Sequence, residues 1–360
     1  MGDGELEGRR MNGLAVDNNC SSTHSSGRLF DLQIVESVES TELAFLRPTQ
    51  VYDEFWRFAA ERQNIFVNRQ HQPLPPWTAD PILSAFKFTN VYRASDRVSQ
   101  FLIRNVIYQG SDNPVEVVFR ILLFKLFNKI ETWQLLEDKL GEVTTRSFSI
   151  ERFSDVLNQA LETGQRIYSA AYIMPSGSKT FHTTRKHQAH LQLLDFMLRD
   201  HLPVKLSDAK DLKQAFEILR SYPLIGHFLA YQYAIDINYS EVTDFSESEF
   251  VAAGPGARSG LRKCFVNLSG VTDEDVIRLV TDLQTQEFER RGIEFNWLGG
   301  RRLQLIDVQN LFCEIDKYAR VRFPEINGLA NRAKIKQRFK PNPSPVKQFY
   351  PPKWGINQSL

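Results

Sequence analysis

From about residue 49 onward, apolar residues recur at intervals of three and four, and this spacing predicts helices. In "TQVYDEFWRFAAERQNIF" it sets Val51, Phe55, Trp56 and Ala59 on one face. Four prolines in "QPLPPWTADP" exclude regular helix and predict an extended linker. Helical spacing then predicts elements near 80–87, 91–107, 114–129, 131–140 and 149–163. "IYSAAYIMPSGS" breaks the rhythm, and "AAYIM" within it is the one stretch expected to be extended. Periodicity resumes in "KHQAHLQLLDFMLRDHL", "LKQAFEILRSY" and "GHFLAYQYAIDI". It continues through "GARSGLRKCFV", "TDEDVIRLVTDLQTQEFERRG" and "RRLQLIDVQNLFCEIDKYARV". No strand-like alternation and no fixed-period repeat interrupts this series. The expected fold is all-α and multi-helical, a helical domain over 29–330 built around one or two apolar cores. Residues 1–28, rich in Gly, Ser and Asn, read as a disordered tail, and 331–360 as a separate arm.

Composition narrows the picture. The formal net charge of +1 leaves no global field for nucleic acid, so any such surface must be local. Cys20, Cys264 and Cys313 stand far apart without a CxxC pair, which argues against structural zinc and for a reducing, intracellular compartment, cytoplasmic or nuclear. "MGDGELEGRRMNG" lacks the apolar segment of a secretory signal. "VEVVFRILLFKLF", interrupted by Arg120 and Lys125, is too short and too charged to span a membrane and predicts a buried amphipathic helix. No membrane partner, metal or cofactor is expected.

Five polar constellations are candidates for chemistry. If 91–107 is one helix, Arg93, Asp96, Arg97 and Gln100 follow i, i+3, i+4, i+7 and share a face, with Asn90 just before it. That stripe is either a solvated salt-bridge ladder or the wall of a site facing inward. Gln232 and Asp236 stand in an otherwise apolar segment, where a carboxylate must be paired or hydrogen-bonded. The alternative role of Asp236 is a buried cap for the Asn238 or Tyr239 amides. Asp307, Asn310, Glu314 and Lys317 form a third stripe, in which Glu314 and Lys317 could equally be a surface pair. Lys186, His187 and His190 in "KHQAH" suit phosphate contact better than metal, since no carboxylate motif completes a ligand set.

In the fifth, "SESEFVAAGPGARSGLRKCF", a short helix is expected before the Gly254–Pro255–Gly256 turn and a second helix after it. Free amides there, with Arg258, Arg262 and Lys263, outline a helix-hairpin-helix phosphate clamp. The arm adds Lys334, Lys336, Arg338 and Lys340, with aromatic residues interleaved. It reads as a strand that tracks a phosphate backbone or as one that packs its aromatics on the body.

"WTADPILSAFKFTNVYRASDRVSQFLI", "YPLIGHFLAYQYAIDINYS", "AAGPGARSGL" and "LQLIDVQNLFCEIDKYARV" together resemble one family over roughly 45–355. It joins the helical part of phage hydroxymethyluracil DNA kinases with the alpha-glutamyl/putrescinyl thymine pyrophosphorylases. The resemblance implies a fold like that of the helix-hairpin-helix DNA glycosylases. It also implies DNA base hypermodification: a pyrophosphorylated hydroxymethyluracil, made by a partner DNA-base kinase, is attacked by an amino acid or polyamine that displaces pyrophosphate.

The sequence carries no GxxxxGK[ST] loop, which points away from the kinase step itself. Asp273 and Asp275, the nearest acids to where such glycosylases place a catalytic Asp, look like ordinary first-turn acids. On this reading Arg93, Arg97 and Lys186 stabilise pyrophosphate, Asp96 or Asp236 takes the proton of the amine, and Asn90 and Gln232 read the base. Gln100, Asn238, His187, Asn310, Glu314 and Lys317 complete the expected base-binding wall. A base-excising glycosylase and a non-catalytic module that binds modified DNA are the alternatives.

Overall fold

The computed structural model describes residues 44–72, 74–329, 333–342 and 347–358. The chain divides into two units between Phe45 and Leu46. Of the first, only its final helical residues are described, so the expected tail 1–28 lies outside the described residues. The helices α1 to α14 all belong to the unit beginning at Leu46.

Helix α1, Gln50–His71, starts where the Thr49 hydroxyl accepts from the Val51 amide. The same hydroxyl donates to the Lys263 carbonyl at 2.6 Å, stitching the start of α1 to a distant helix end. The predicted face is fully buried: Val51, Phe55, Trp56 and Ala59 are each at 0% exposure. Asp80 caps α2, Pro81–Ala85, accepting from Ile82 and Leu83.

The expected helix over 91–107 is broken into three pieces. Arg93–Ser95 is a single 3-10 turn, α3 covers Arg97–Phe101, and Leu102–Ile107 winds more widely with i→i+5 bonds. Asp96 itself is extended, because its carboxylate accepts from the Asn90 amide at 2.7 Å. Such a local side-chain bond competes with helix.

α4, Pro114–Phe127, is the predicted "VEVVFRILLFKLF" helix, buried on every side from Val117 onward. Its Arg120 donates to the Val106, Ile107 and Ser111 carbonyls and so closes the end of the wide turn. α5 (Ile130–Leu140), α6 (Ile150–Glu162), α7 (Lys186–Arg199), α8 (Leu202–Ser207) and α9 (Leu212–Arg220) follow, then α10 (His227–Asn238). Helices α5, α7, α8 and α10 all pack on α4. The stretch 170–174, expected to be extended, is a bend and coil with Tyr172 in the left-handed region, and no strand forms among the described residues.

The second half holds α11 (Pro255–Cys264), α12 (Asp273–Asp282), α13 (Gln284–Glu289) and α14 (Leu305–Arg322). α14 packs on α11, α12, α1, α2 and the 93–95 turn. That turn thus joins the α4-centred core to the α14-centred one. No helix among the described residues is long and apolar enough to cross a membrane.

The arm lies on the body. Lys87 donates to the Gln337 carbonyl and Phe339 to that of Ala85, both at 3.0 Å. Phe339 meets Trp77 edge-on, and Arg338 stacks on Phe86. Farther on, Tyr350 is buried, with its hydroxyl 2.8 Å from Ser95 Oγ. Lys353 donates to the Ser240 carbonyl at 2.7 Å, just past the end of α10. Trp354 lies between Tyr239, Tyr350 and the Arg301 guanidinium. The packing alternative for the aromatics therefore holds, while Lys334, Lys336, Arg338 and Lys340 remain on the surface.

Candidate functional site

Two of the expected constellations meet. Arg93, only 1% exposed, enters the body from the 3-10 turn. Its Nε donates to Gln232 Oε1 at 2.9 Å and its Nη1 to Asp236 Oδ1 at 2.7 Å. A second cation completes the cluster: Lys125 Nζ lies 3.1 Å from Asp236 Oδ2 and donates to Asn128 Oδ1 at 2.7 Å. Tyr239 accepts a further bond from Arg93, and Tyr172 places its ring 4.4 Å from Lys125 Nζ.

Burial alone would raise the Asp236 carboxyl, but Arg93 and Lys125 outweigh it and hold it below the ordinary carboxylate range. The same burial pushes Lys125 down to about 8. Arg93, Gln232 and Asp236 thus come together as expected, but in a sealed ion-pair cluster, so the expected cavity between them is corrected. Close packing leaves Asp236 no face toward a substrate, and it does not cap the following amides. Asn238 serves the chain too: it accepts from the Phe245 amide and the Thr243 hydroxyl and donates to the Phe245 carbonyl.

The shared face for Arg93, Asp96, Arg97 and Gln100 is likewise corrected, because the extended Asp96 rotates α3 relative to the turn. Gln100 turns inward and is spent on the Ala94 carbonyl and the Phe349 amide, both at 2.8 Å. Asn90 donates its side-chain amide to the Ser95 carbonyl. Asp96 is half-buried, and burial pushes its carboxyl up to about 6 despite the Asn90 amide and the Arg62 charge. Arg97 is exposed and lines a cleft of about 250 Å³ with Arg104, Glu131, Gln134 and Lys347.

On α14, Asp307 accepts from the Arg93 amide at 2.7 Å, which fixes the 3-10 turn. Glu314 accepts from the Thr89 amide at 3.1 Å and from Lys317 at 2.7 Å. Lys317 also reaches the Lys87 carbonyl, so this pair clasps the 87–89 segment and is more than a surface contact. Asn310 is half-buried beside Gln309.

The hairpin expectation fails on two counts. No helix occupies 239–254, because Ser246 and Ser248 bond one another and the Ser248 amide instead of a helical turn. The glycines serve helix packing: a side chain on Gly256 would strike Cys313, and one on Gly260 the Phe312 carbonyl. Arg258 and Arg262 are paired with Asp273, and Lys263 is buried against Asp316.

Of the two histidines, His190 has internal partners, while His187 Nε2 is buried without one among the described residues. His190 Nε2 donates to the Pro175 carbonyl and Nδ1 accepts from the Tyr168 hydroxyl, while Lys186 covers the Tyr168 ring. Burial pushes both His187 and His190 down to about 4. Neutral rings in such a setting carry no charge to a phosphate.

Four functional-looking groups escaped the sequence reading. Lys125 read only as an interruption of an apolar run. Arg62 stands seven residues after Phe55 and four after Phe58, on the buried stripe of α1, and a charge there was the available signal. Glu247, buried against Arg301 and pushed up to about 7, sits in a loop without periodicity, as does Arg301.

The family described as "5-hmdU DNA kinase, helical domain" matches residues 49–328. A 5-hmdU DNA kinase of Bacillus phage SP10 is 27% identical over 289 residues, which are 74% of this chain and 45% of that protein. The chain thus spans about half the length of that relative. No solved structure matches it. The family match runs unbroken from the cap of α1 past the end of α14 and includes every residue of the sealed cluster, Asp96 and Glu314. This chain belongs to the 5-hmdU DNA kinase helical-domain family.

Proposed function

We propose that this chain is a transferase acting on a 5-hydroxymethyluracil-derived base in DNA, and that an amine displaces pyrophosphate from the activated base methylene. Similarity to a 5-hmdU DNA kinase supports the base. The observation that carries the step is a half-buried carboxyl, Asp96, next in the chain to Arg97, which lines a cleft with Arg104 and Lys347.

In the exchange the amine nitrogen bonds to the methylene carbon as the bond from that carbon to the pyrophosphate oxygen breaks. Pyrophosphate leaves with the electron pair, and the new ammonium sheds one proton. Asp96, pushed up to about 6, is mostly ionised at neutral pH yet more basic than an ordinary carboxylate, which suits it to take that proton. The three cleft cations suit the departing charge. Arg93, Asp236 and Lys125 act as positioning residues, holding the turn that carries Asp96. Lys334, Lys336, Arg338 and Lys340 add contacts to the DNA backbone. The amine is an amino acid or a polyamine, and a DNA-base kinase supplies the activated substrate.

The test is nucleoside mass spectrometry of DNA carrying pyrophosphorylated hydroxymethyluracil after incubation with the protein and candidate amines. The expected result is a nucleoside heavier by the amine and free of phosphate. Release of free base would point to a glycosylase. A second reading, a module that presents the base to a phosphotransferase, is favoured by the match to the helical part of a kinase of about twice this length. It predicts bound but unchanged DNA.

A further inference from the structure

A second polar group lies between α1, the 87–96 segment and α14, and most of it has no task in the exchange just described. Arg62 is 5% exposed, yet its Nε and Nη1 have no hydrogen-bond partner. Glu314 Oε2 is 3.9 Å from Nη1, too far for a hydrogen bond. A buried guanidinium with idle donors is costly unless something accepts from it. The Thr89 hydroxyl is also buried and unpartnered. Its neighbour Phe88 holds its ring 5.6 Å from the Arg62 guanidinium and 5.0 Å from Lys317 Nζ. The charges of Asp96 and Glu314 both act on Arg62. Thr89, Asn90, Asp96 and Lys317 are partly exposed and form the outer edge of the group.

These side chains offer unused donors, a hydroxyl, an accepting carboxylate and an aromatic ring in one place. A pyrimidine-2,4-dione presents the complement: two carbonyl oxygens flanking a ring N–H, on a flat face that stacks. We infer that the Arg62–Thr89–Glu314 group reads the edge of a base that has left the stack, Arg62 donating to a carbonyl oxygen, Glu314 accepting from the ring N–H and Phe88 stacking. Cytosine turns an amino group where a carbonyl is needed, and a methyl on the ring nitrogen removes the N–H. Each leaves the pocket with a clash or an orphaned group. The inference rests on the proposed action on a hydroxymethyluracil-derived base and adds where that base is recognised.

The experiment is fluorescence anisotropy with single-stranded oligonucleotides that differ at one central base: 5-hydroxymethyluracil, thymine, cytosine or N3-methylthymine. The native protein is expected to prefer the first two by about 10-fold or more, the scale of one good edge contact. Arg62→Lys keeps the charge but loses the fork, and Thr89→Val changes a partly exposed position. Both are expected to flatten the preference while leaving affinity for the cytosine strand unchanged. Thermal melts accompany each variant, and Thr89→Val decides the matter if Arg62→Lys does not fold. A preference that survives in the folded variants, or an equal loss on all four strands, overturns the pocket. If that happens while the mass-spectrometric product still forms, the exchange stands and only its base pocket is wrong. A native protein that does not distinguish the four strands overturns the pocket and the proposed substrate together.

Discussion

Two charged clusters lie on either side of the 93–96 segment, and they are built to opposite specifications. In the first, the Asp236 charge is met by Arg93 on one oxygen and Lys125 on the other, and only Gln232 Nε2 lacks any partner among the described residues. In the second, Arg62 is equally buried but keeps two nitrogens without partners, with a half-buried Asp96 nearby. The first looks like the more dramatic site and is the less available one. Buried charge met by close hydrogen-bonded partners holds a fold in register, whereas a buried guanidinium with idle donors awaits something else.

Breaking the sealed cluster should have the largest effect. Asp236→Ala leaves Arg93 and Lys125 without their counter-charge and is expected to cost about 3–5 kcal/mol in urea denaturation. Arg62→Met should cost less, about 1–3 kcal/mol, because the two donors it removes have no hydrogen-bond partner and only the nearby charge of Asp96 and Glu314 is lost. Equal losses in the two variants would erase the contrast.

The pH dependence sharpens it. The folded pKa of Asp96 is raised, to about 6, so the folded state binds more protons than the unfolded one between about pH 4 and 6, and stability falls as pH rises through that window. Asp307, also raised to about 6, contributes with the same sign. Asp236 is lowered, so its contribution is present above the ordinary carboxylate range and lost as pH falls through its folded value. Asp96→Asn is therefore expected to stabilise the protein at pH 8 by about 1–2 kcal/mol and to flatten the slope between pH 4 and 6. Denaturation midpoints across pH check both. Smallest on stability are the surface cations. Replacing Lys334, Lys336, Arg338 and Lys340 by Ala should leave folding unchanged within about 0.5 kcal/mol. It should reduce the log–log salt slope of DNA binding by about one unit for each phosphate no longer neutralised.

Long helices were legible because burial of one stripe leaves its period in the sequence: α1, α4, α7 and α14 fall where the spacing predicts them. The 91–107 segment was not, for a specific reason. Arg93, Asp96, Arg97 and Gln100 keep helical spacing whether or not the backbone between them is helical, and the Asp96–Asn90 bond that breaks it is invisible to periodicity. The meeting of Arg93 with Gln232 and Asp236 was legible, since polar residues in two apolar segments must find each other. Its sealed character was not, because Lys125 from a third helix closes it. The turn glycines misled for a related reason. A glycine that lets two helices touch and a glycine that lets backbone approach a phosphate are the same letter.

The strap at 347–358 has a bearing on how the protein is made. It touches Ser95, Gln100, Tyr239, Ser240 and Arg301, all synthesised before it. The nascent chain can assemble its helices while emerging, in the order in which domains generally fold, yet the wall over the 93–96 turn is laid only when this segment clears the ribosome. Until then Tyr239 and the end of α10 face water, and a stall in that interval would expose an aromatic surface to whatever chaperone or neighbour is nearest.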